Sequence, residues 1–330
     1  THALYRPFSK QWSYYSHGLN AYLNRMPQIF PEASVENRVI YLSGSGNSGK
    51  NFSALIVNVI PDLNMQHSGG QGFPLTIYSE NENGQHNSGV KPQADLFSDQ
   101  ATGVTSEIFE QTDSAKKTGY TRSDGITDDG LAHFQDAYSN DLISKEDLFY
   151  YIYGLLHSDD YKSRYADNLT KELPRIPVVK KAADFWTFSK AGRELAELHI
   201  NYENQPKHPV TLDCGKRSFD SLTDADFYVT KMKFAKKGDK STVVYNPAIT
   251  IRDIPLEAYE YVVNGKPALE WVMERQSVTT HKASGIVNDA NDWAVDTMSN
   301  AKYPLELFQR VVTVSLRTVR IVKGLPKLDI

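Results

Sequence analysis

The chain has 330 residues, 40% hydrophobic and 23% charged, with a formal net charge of −4. That composition suits a soluble globular protein with one large domain or two to three smaller ones. The absence of any apolar run of about 18 residues excludes a membrane-spanning helix. One cysteine, Cys214, excludes an internal disulfide and a zinc site built on thiolates, so a reducing, cytoplasmic location is expected.

The charge is uneven. Ser79 to Asp147 holds fourteen acidic and five basic residues, a net of −9, which leaves +5 on the remainder. A mildly basic remainder is compatible with a phosphate-facing surface.

The opening residues, THALYRPFSKQW, lack a signal peptide's basic start, apolar core and cleavage site, and no initiator Met precedes them. The expectation is a fragment of a longer chain. Residues 1–140 read as a β-rich part. After a turn at Arg6-Pro7, the aromatic alternation around Trp12 and Tyr14 predicts a strand. Further strands are predicted at Arg38–Leu42, Phe52–Ile60 and Leu75–Tyr78. Residues 79–123 are polar, acidic and without periodicity, which reads as a long loop. The stretch from Asp124 to Tyr138 has helical character.

Residues 141–205 read as a helical spacer. Ser144 and Asp147 have capping-box spacing ahead of Leu148, Tyr151, Ile152 and Leu155. Ser158 can cap a second helix that ends near Leu173, before Pro174 and Pro177. Ser189 is expected to cap a third, with Leu195 and Leu198 inward. Residues 206–330 read as a β-hairpin region followed by helices. Two strand-like runs flank Lys236-Lys237-Gly238-Asp239-Lys240, a predicted hairpin turn. From Pro255 the pattern predicts helix, broken at Asn264-Gly265. A last helix is expected from Pro304 to Lys323, with Leu307, Val311, Val314 and Val322 on its apolar face and a stop at Gly324. The fold class is therefore α+β.

Catalytic motifs are scarce. Gly44-Ser-Gly-Asn-Ser-Gly49-Lys50-Asn51 approaches a P-loop. However, Asn51 replaces the magnesium-binding hydroxyl, and the following FSALIVNVI reads as strand rather than helix. A nucleotide-binding domain on this loop is an alternative reading, and Lys50 remains a candidate phosphate contact. The histidines match no metal-binding spacing, and His157 and His199 at helix ends suit structural roles. No G-x-S-x-G anchors a nucleophile. Pro61-Asp62 has no Glu-x-Lys after it, and Asn246-Pro247-Ala248-Ile249 fails the Pro-Pro-aromatic pattern of an amino-methyltransferase loop.

Binding chemistry remains. Lys231, Lys233, Lys236, Lys237 and Lys240 place five ammonium groups on one predicted hairpin. Alternation puts Lys231 and Lys233 on the same face. Such a ribbon can follow phosphates in a major groove. It equally describes an edge strand kept soluble by lysine. Arg6, Lys10 and Trp12 form a second basic-aromatic patch, in which Trp12 is expected to pack in the core. Arg122, in a turn after the acidic loop, is a third candidate.

Several long strings are specific enough to compare with a family. They are YRPFSKQWSYY, DLNMQHSGGQGFPLTIY, LFYYIYGLLHSDDYKSRYADNLTKELPRIP, DFWTFSKAGRELAELHINYE and YEYVVNGKPALEWVMERQSVTTHKASGIVNDANDWA. In collinear order from Tyr5 to about Leu325, the chain resembles the C-terminal target-recognition part of single-chain type ISP restriction–modification enzymes. The resemblance implies a non-catalytic module that reads double-stranded DNA. Its neighbour would be an upstream N6-adenine methyltransferase domain of the same polypeptide, with a helicase-like translocase and a nuclease further upstream. S-adenosylmethionine, ATP and magnesium are implied for the full-length enzyme and no cofactor for this part. A scaffold that docks other domains of the same chain is a further alternative.

Overall fold

The computed structural model describes residues 1–16, 18–20, 22–43, 52–66, 69–81 and 119–330. Most of the acidic loop and the whole Gly44–Asn51 loop, Lys50 included, lie outside them. The fold is α+β.

The N-terminal part holds β1 (His2–Arg6), β2 (Ser9–Trp12), a short α1 (Met26–Ile29), β3 (Val39–Leu42), β4 (Ala54–Val57), β5 (Ile60–Pro61), β6 (Gln71–Pro74), β7 (Thr76–Glu80) and β8 (Tyr120–Asp124). They form three small sheets: β2-β1-β5, β4-β3-β6 and the pair β7-β8. Phe8, in the β1–β2 turn, is buried and takes a left-handed φ of 58°. That conformation is unfavourable for a bulky residue and is held here by packing of its ring edge-on to Tyr202, 5.3 Å between centroids.

β3 and β4 are buried on both faces. Side chains alternate along a strand, so successive residues enter different cores. Val39 and Tyr41, paired with Val57 and Leu55, join one core. Ile40 and Leu42, paired with Ile56 and Ala54, join the other.

The second core is mainly helical. It is built from α2 (Asp128–Ala137), α3 (Lys145–His157), α4 (Asp159–Arg164), α5 (Ala166–Leu169) and α6 (Ala182–Ile200). Ser144 caps α3 as a true capping box: its hydroxyl accepts from the Asp147 amide, and the Asp147 carboxylate accepts from the Ser144 amide. Ser158 caps α4 by accepting from Tyr161 N at 3.3 Å. Ser189 does not start a helix, contrary to expectation. It lies inside α6, buried, and donates to the Asp147 carbonyl at 2.8 Å between α3 and α6. Two glycines set the approach of these helices. A Cβ on Gly154 would stand 2.2 Å from the Phe188 carbonyl oxygen, and one on Gly192 would stand 1.9 Å from that of Tyr150. The two backbones touch where any larger residue would part them.

The C-terminal part contributes β9 (Thr211–Asp213), β10 (Lys233–Lys236), β11 (Asp239–Val244), β12 (Thr250–Arg252), β13 (Val262–Val263), β14 (Lys266–Pro267), α7 (Ala268–Arg275), β15 (Val278–Thr280), β16 (Val287–Asp289), α8 (Ala290–Asp292) and α9 (Tyr303–Lys323). Two expectations fail here. Pro255 opens a single 3-10 turn over Leu256–Tyr259 rather than a long helix. Asn264-Gly265, read as a helix break, is the turn of the tight hairpin β13–β14, with φ of 50° and 74°. Consecutive positive φ values suit a two-residue hairpin, and Asn-Gly adopts them readily. α9 follows its predicted span and buries Leu307, Val311 and Val314 in the first core, whereas Val322 is half-buried.

A buried polar chain ties these layers together. The Ile56 amide donates to the Tyr153 hydroxyl at 3.0 Å. That hydroxyl hydrogen-bonds His199 Nδ1 at 2.7 Å, and His199 Nε2 hydrogen-bonds Thr318 Oγ1 at 2.9 Å. His157 Nδ1–H donates to the Tyr153 carbonyl at 2.9 Å. Thus β4, α3, α6 and α9 share one network, and both histidines have the structural role expected of them.

Gly154→Ala and Gly192→Ala should each cost about 3 kcal/mol, because the helix backbones must separate. Urea denaturation measures it, and a destabilisation below about 0.5 kcal/mol would contradict the close approach. Burial pushes the His157 pKa down to about 4 and that of His199 well below its usual 6.5. The unfolded chain therefore binds more protons than the folded one below about pH 6.5. Stability should be full above that pH and fall by up to about 1.4 kcal/mol per pH unit per histidine as pH drops toward 4. Denaturation midpoints at pH 7, 6 and 5 give the slope, which His157→Asn should reduce.

Candidate nucleic-acid interface

β10 is the edge of the four-stranded sheet β10-β11-β12-β9. Met232 is buried and Phe234 half-buried, while Lys231 and Lys233 are exposed, as strand alternation requires. β10 and β11 pair with Lys233 opposite Val244 and Lys236 opposite Asp239, with a bulge between Phe234 and Lys236. Lys237 and Gly238 make the turn, where Gly238 takes φ 85°. Lys231, Lys233, Lys236 and Lys237 are all exposed and have no ion pair among the described residues. Lys240 differs from them. Its Nζ donates to Glu270 Oε1 at 2.7 Å and lies 5.2 Å from the centre of the Tyr259 ring. Lys240 anchors the hairpin to α7.

The lysine strand continues into a second ribbon. The Val278 amide of β15 donates to the Thr230 carbonyl at 2.9 Å. Asn291 clamps Val229 from both sides, accepting from its amide at 2.9 Å and donating to its carbonyl at 3.0 Å. β15 and β16 pair from Val278–Asp289 to Thr280–Val287. Residues 279–288, including His281 and Lys282, are exposed. This ribbon falls where helix was expected. Its signal was the Val-Thr-Thr run followed by Gly285, which turns with φ 70°.

Opposite this ribbon stands the β1–β2 hairpin. The space between them is a cleft of about 670 Å³ lined by Gln11, Trp12, Gln276, Thr279, His281 and Asn288 among others. A second cleft of about 690 Å³ opens on the other side of β2, toward β6. Trp12 and Gln11 line both. Trp12 is not a core residue, against expectation: it is 65% exposed. β2 is the edge strand of its sheet, so one face of the ring has no neighbouring strand to cover it. Its indole N–H donates to Thr297 Oγ1 at 3.0 Å, and its ring meets His2 edge-on at 4.3 Å.

The other candidate cations divide by burial. Arg6 donates to Asp62 Oδ1 at 3.1 Å and stacks on Tyr5. Lys10 donates to Glu203 Oε2 at 2.5 Å, with side-chain exposures of 17% and 15%, and Tyr303 donates to the other oxygen at 2.6 Å. Both side chains are committed within the fold. Arg122 is exposed on β8, opposite Tyr78, and has no ion pair among the described residues. Lys50 lies outside the described residues. Among the described residues no three His, Cys, Asp or Glu side chains gather in a metal-binding group, and no helix is long and apolar enough to cross a membrane.

The family model for the type ISP C-terminal specificity domain matches residues 1–307, and the chain belongs to that family. None of the curated proteins matches the chain. Three solved structures resemble all of it. One is the ATP-dependent type ISP restriction-modification enzyme LlaBIII bound to DNA, at 34% identity and a TM-score of 0.79. Another is a nuclease-deletion mutant of the type ISP enzyme LlaGI in complex with a DNA substrate mimic, at 33% identity and 0.74. The third is a DrdV–DNA complex, at 31% identity and 0.74. The chain spans 18%, 25% and 28% of those chains, respectively.

Structural and free cations should respond differently to substitution. Lys10→Ala leaves the Glu203 carboxylate buried without its cation and should cost about 3 kcal/mol. Lys236→Ala should change stability by less than about 0.5 kcal/mol. Thermal unfolding of the two variants compares them directly.

Proposed function

We propose that this chain recognises a specific sequence in double-stranded DNA and has no catalytic centre of its own. The observation that carries the reading is the strip formed by Lys231, Lys233, Lys236 and Lys237. These four ammonium groups are exposed, lack internal partners among the described residues, and adjoin a two-stranded ribbon and a cleft of amides and aromatics. Phosphate contacts fix register on a duplex, and groups that reach base edges select the sequence. The lysine strip suits the first task. The family membership and the DNA-bound relatives support the same reading.

Within a longer polypeptide, such a module would hold its site against a methyltransferase domain of the same chain and license the work of translocase and nuclease domains. S-adenosylmethionine, ATP and magnesium would serve those other domains. A cytoplasmic location accords with this role. Arg122 is assigned a subsidiary phosphate contact, whereas Arg6, Lys10 and Lys240 are assigned to the fold.

Fluorescence anisotropy with a labelled duplex tests the proposal. Changing the four free lysines to Gln should weaken binding to every sequence. It should also lower the slope of log affinity against log salt by about 0.9 for each phosphate that is no longer neutralised. An unchanged affinity and slope would refute the assignment of the strip.

A further inference from the structure

The cleft between β2 and β6 has an unusual chemistry. Gln11 and Trp12 stand exposed on one wall, and Gln71 and Phe73 stand exposed on the other. Each wall thus pairs an amide with an aromatic ring, and Tyr22, 86% exposed, lies at the same cleft. Large rings exposed together carry an energetic cost that isolated surface apolar residues do not. The Trp12 ring is held rather than free, by its bond to Thr297 and its edge contact with His2.

The cleft carries little charge among the described residues. Arg25 and Asp62 are its two charged lining residues. Arg25 Nε donates to Gln28 at 3.0 Å, and Asp62 accepts from Arg6 at 3.1 Å. Apart from Arg25, which is exposed and forms no ion pair among the described residues, a phosphate would find no cation on these walls, in contrast to the four of the lysine strip. A flat, uncharged group with hydrogen-bonding edges matches them. Primary amides pair bidentately with adenine N6 and N7, and aromatic rings touch the thymine methyl from the groove.

We propose that this cleft is the base-reading part of the DNA interface. In it Gln11 and Gln71 are specificity-determining residues for adenine, and Trp12 and Phe73 hold the base pair by apolar contact. The inference rests on the DNA-binding reading and adds to it a division of labour: β10 follows phosphates, and the β2–β6 cleft reads bases.

The test uses the 330-residue chain and a pool of duplexes with a randomised segment, sequenced after retention on the protein. The wild type should return a motif containing adenine. Gln11→Ala and Gln71→Ala should each relax one adenine position by about tenfold while binding to unrelated duplex and the salt slope stay unchanged. Trp12→Ala should weaken binding to the motif by about tenfold. Trp12→Phe, which keeps a ring against His2, should recover part of it. Quenching of tryptophan fluorescence by the motif duplex should shrink in Trp12→Phe. If both glutamine variants return the wild-type motif at wild-type affinity, the inference is overturned and the DNA-binding reading stands. Failure of the wild type to bind any duplex overturns both. If adenosine monophosphate displaces the duplex and the glutamine variants leave the motif unchanged, the cleft takes a free nucleotide and the base-reading assignment is wrong.

Discussion

Val39, Ile40, Tyr41 and Leu42 enter two hydrophobic cores by turns, and the arrangement of the molecule depends on that alternation. A strand with period two and no solvent-facing side has to be covered twice. The helices α3 and α6 cover one face of β3–β4, and residues from the first strands and from the C-terminal part cover the other. Leu4 and Phe8 therefore share a core with Val243, Ile251, Leu307 and Val311, more than 200 positions away. This shared core brings the β1–β2 hairpin against the β15–β16 ribbon. The cleft between them is a consequence of packing, not of local sequence.

The same packing sorts the charged residues. Several partly covered cations are paired: Lys10 with Glu203, Arg6 with Asp62, and Arg38 with Glu197 and the Tyr150 hydroxyl. At Lys10, in the most covered of the three pairs, an unpaired charge would be expensive. On the edge strand β10 no such demand exists, since water satisfies each lysine. Edge strands often carry lysine to prevent association with other strands. Solubility alone, however, does not account for the continuity of this strip with a ribbon and an amide-lined cleft. In the proposed reading, the lysines for phosphates and the amide and aromatic side chains for bases occupy neighbouring but separate surfaces.

Features governed by neighbours in sequence were legible. The Ser144–Asp147 capping box, the Ser158 cap, the α9 face and the Lys236–Lys240 turn follow from rules that act within about four residues. Ser189 is not legible as an interhelical residue because hydroxyls serve both caps and interhelical bonds, and the Asp147 carbonyl that claims it is 42 residues away. The hairpin at Asn264-Gly265 was overlooked because apolar residues on both sides imitate helical spacing, although Asn-Gly favours a two-residue turn. Arg6 and Lys10 looked like free cations because Asp62 and Glu203 are distant in sequence. Trp12 looked like a core residue because size and hydrophobicity predict burial on average. Its exposure depends on which strand became the sheet edge, and a single sequence does not specify that. The collinear strings shared with the type ISP family identified the module without locating its interface.

The central claim is that DNA engages the β1–β2, β6, β10 and β15–β16 surface and leaves the helical layer free. Amide hydrogen exchange, measured with and without a duplex carrying the preferred motif, addresses it directly. Protection should appear in residues 9–12, 71–73, 231–237 and 278–288, with α3 and α6 unchanged. Protection concentrated on α3 and α6, with none on the lysine strip or the clefts, would contradict the account.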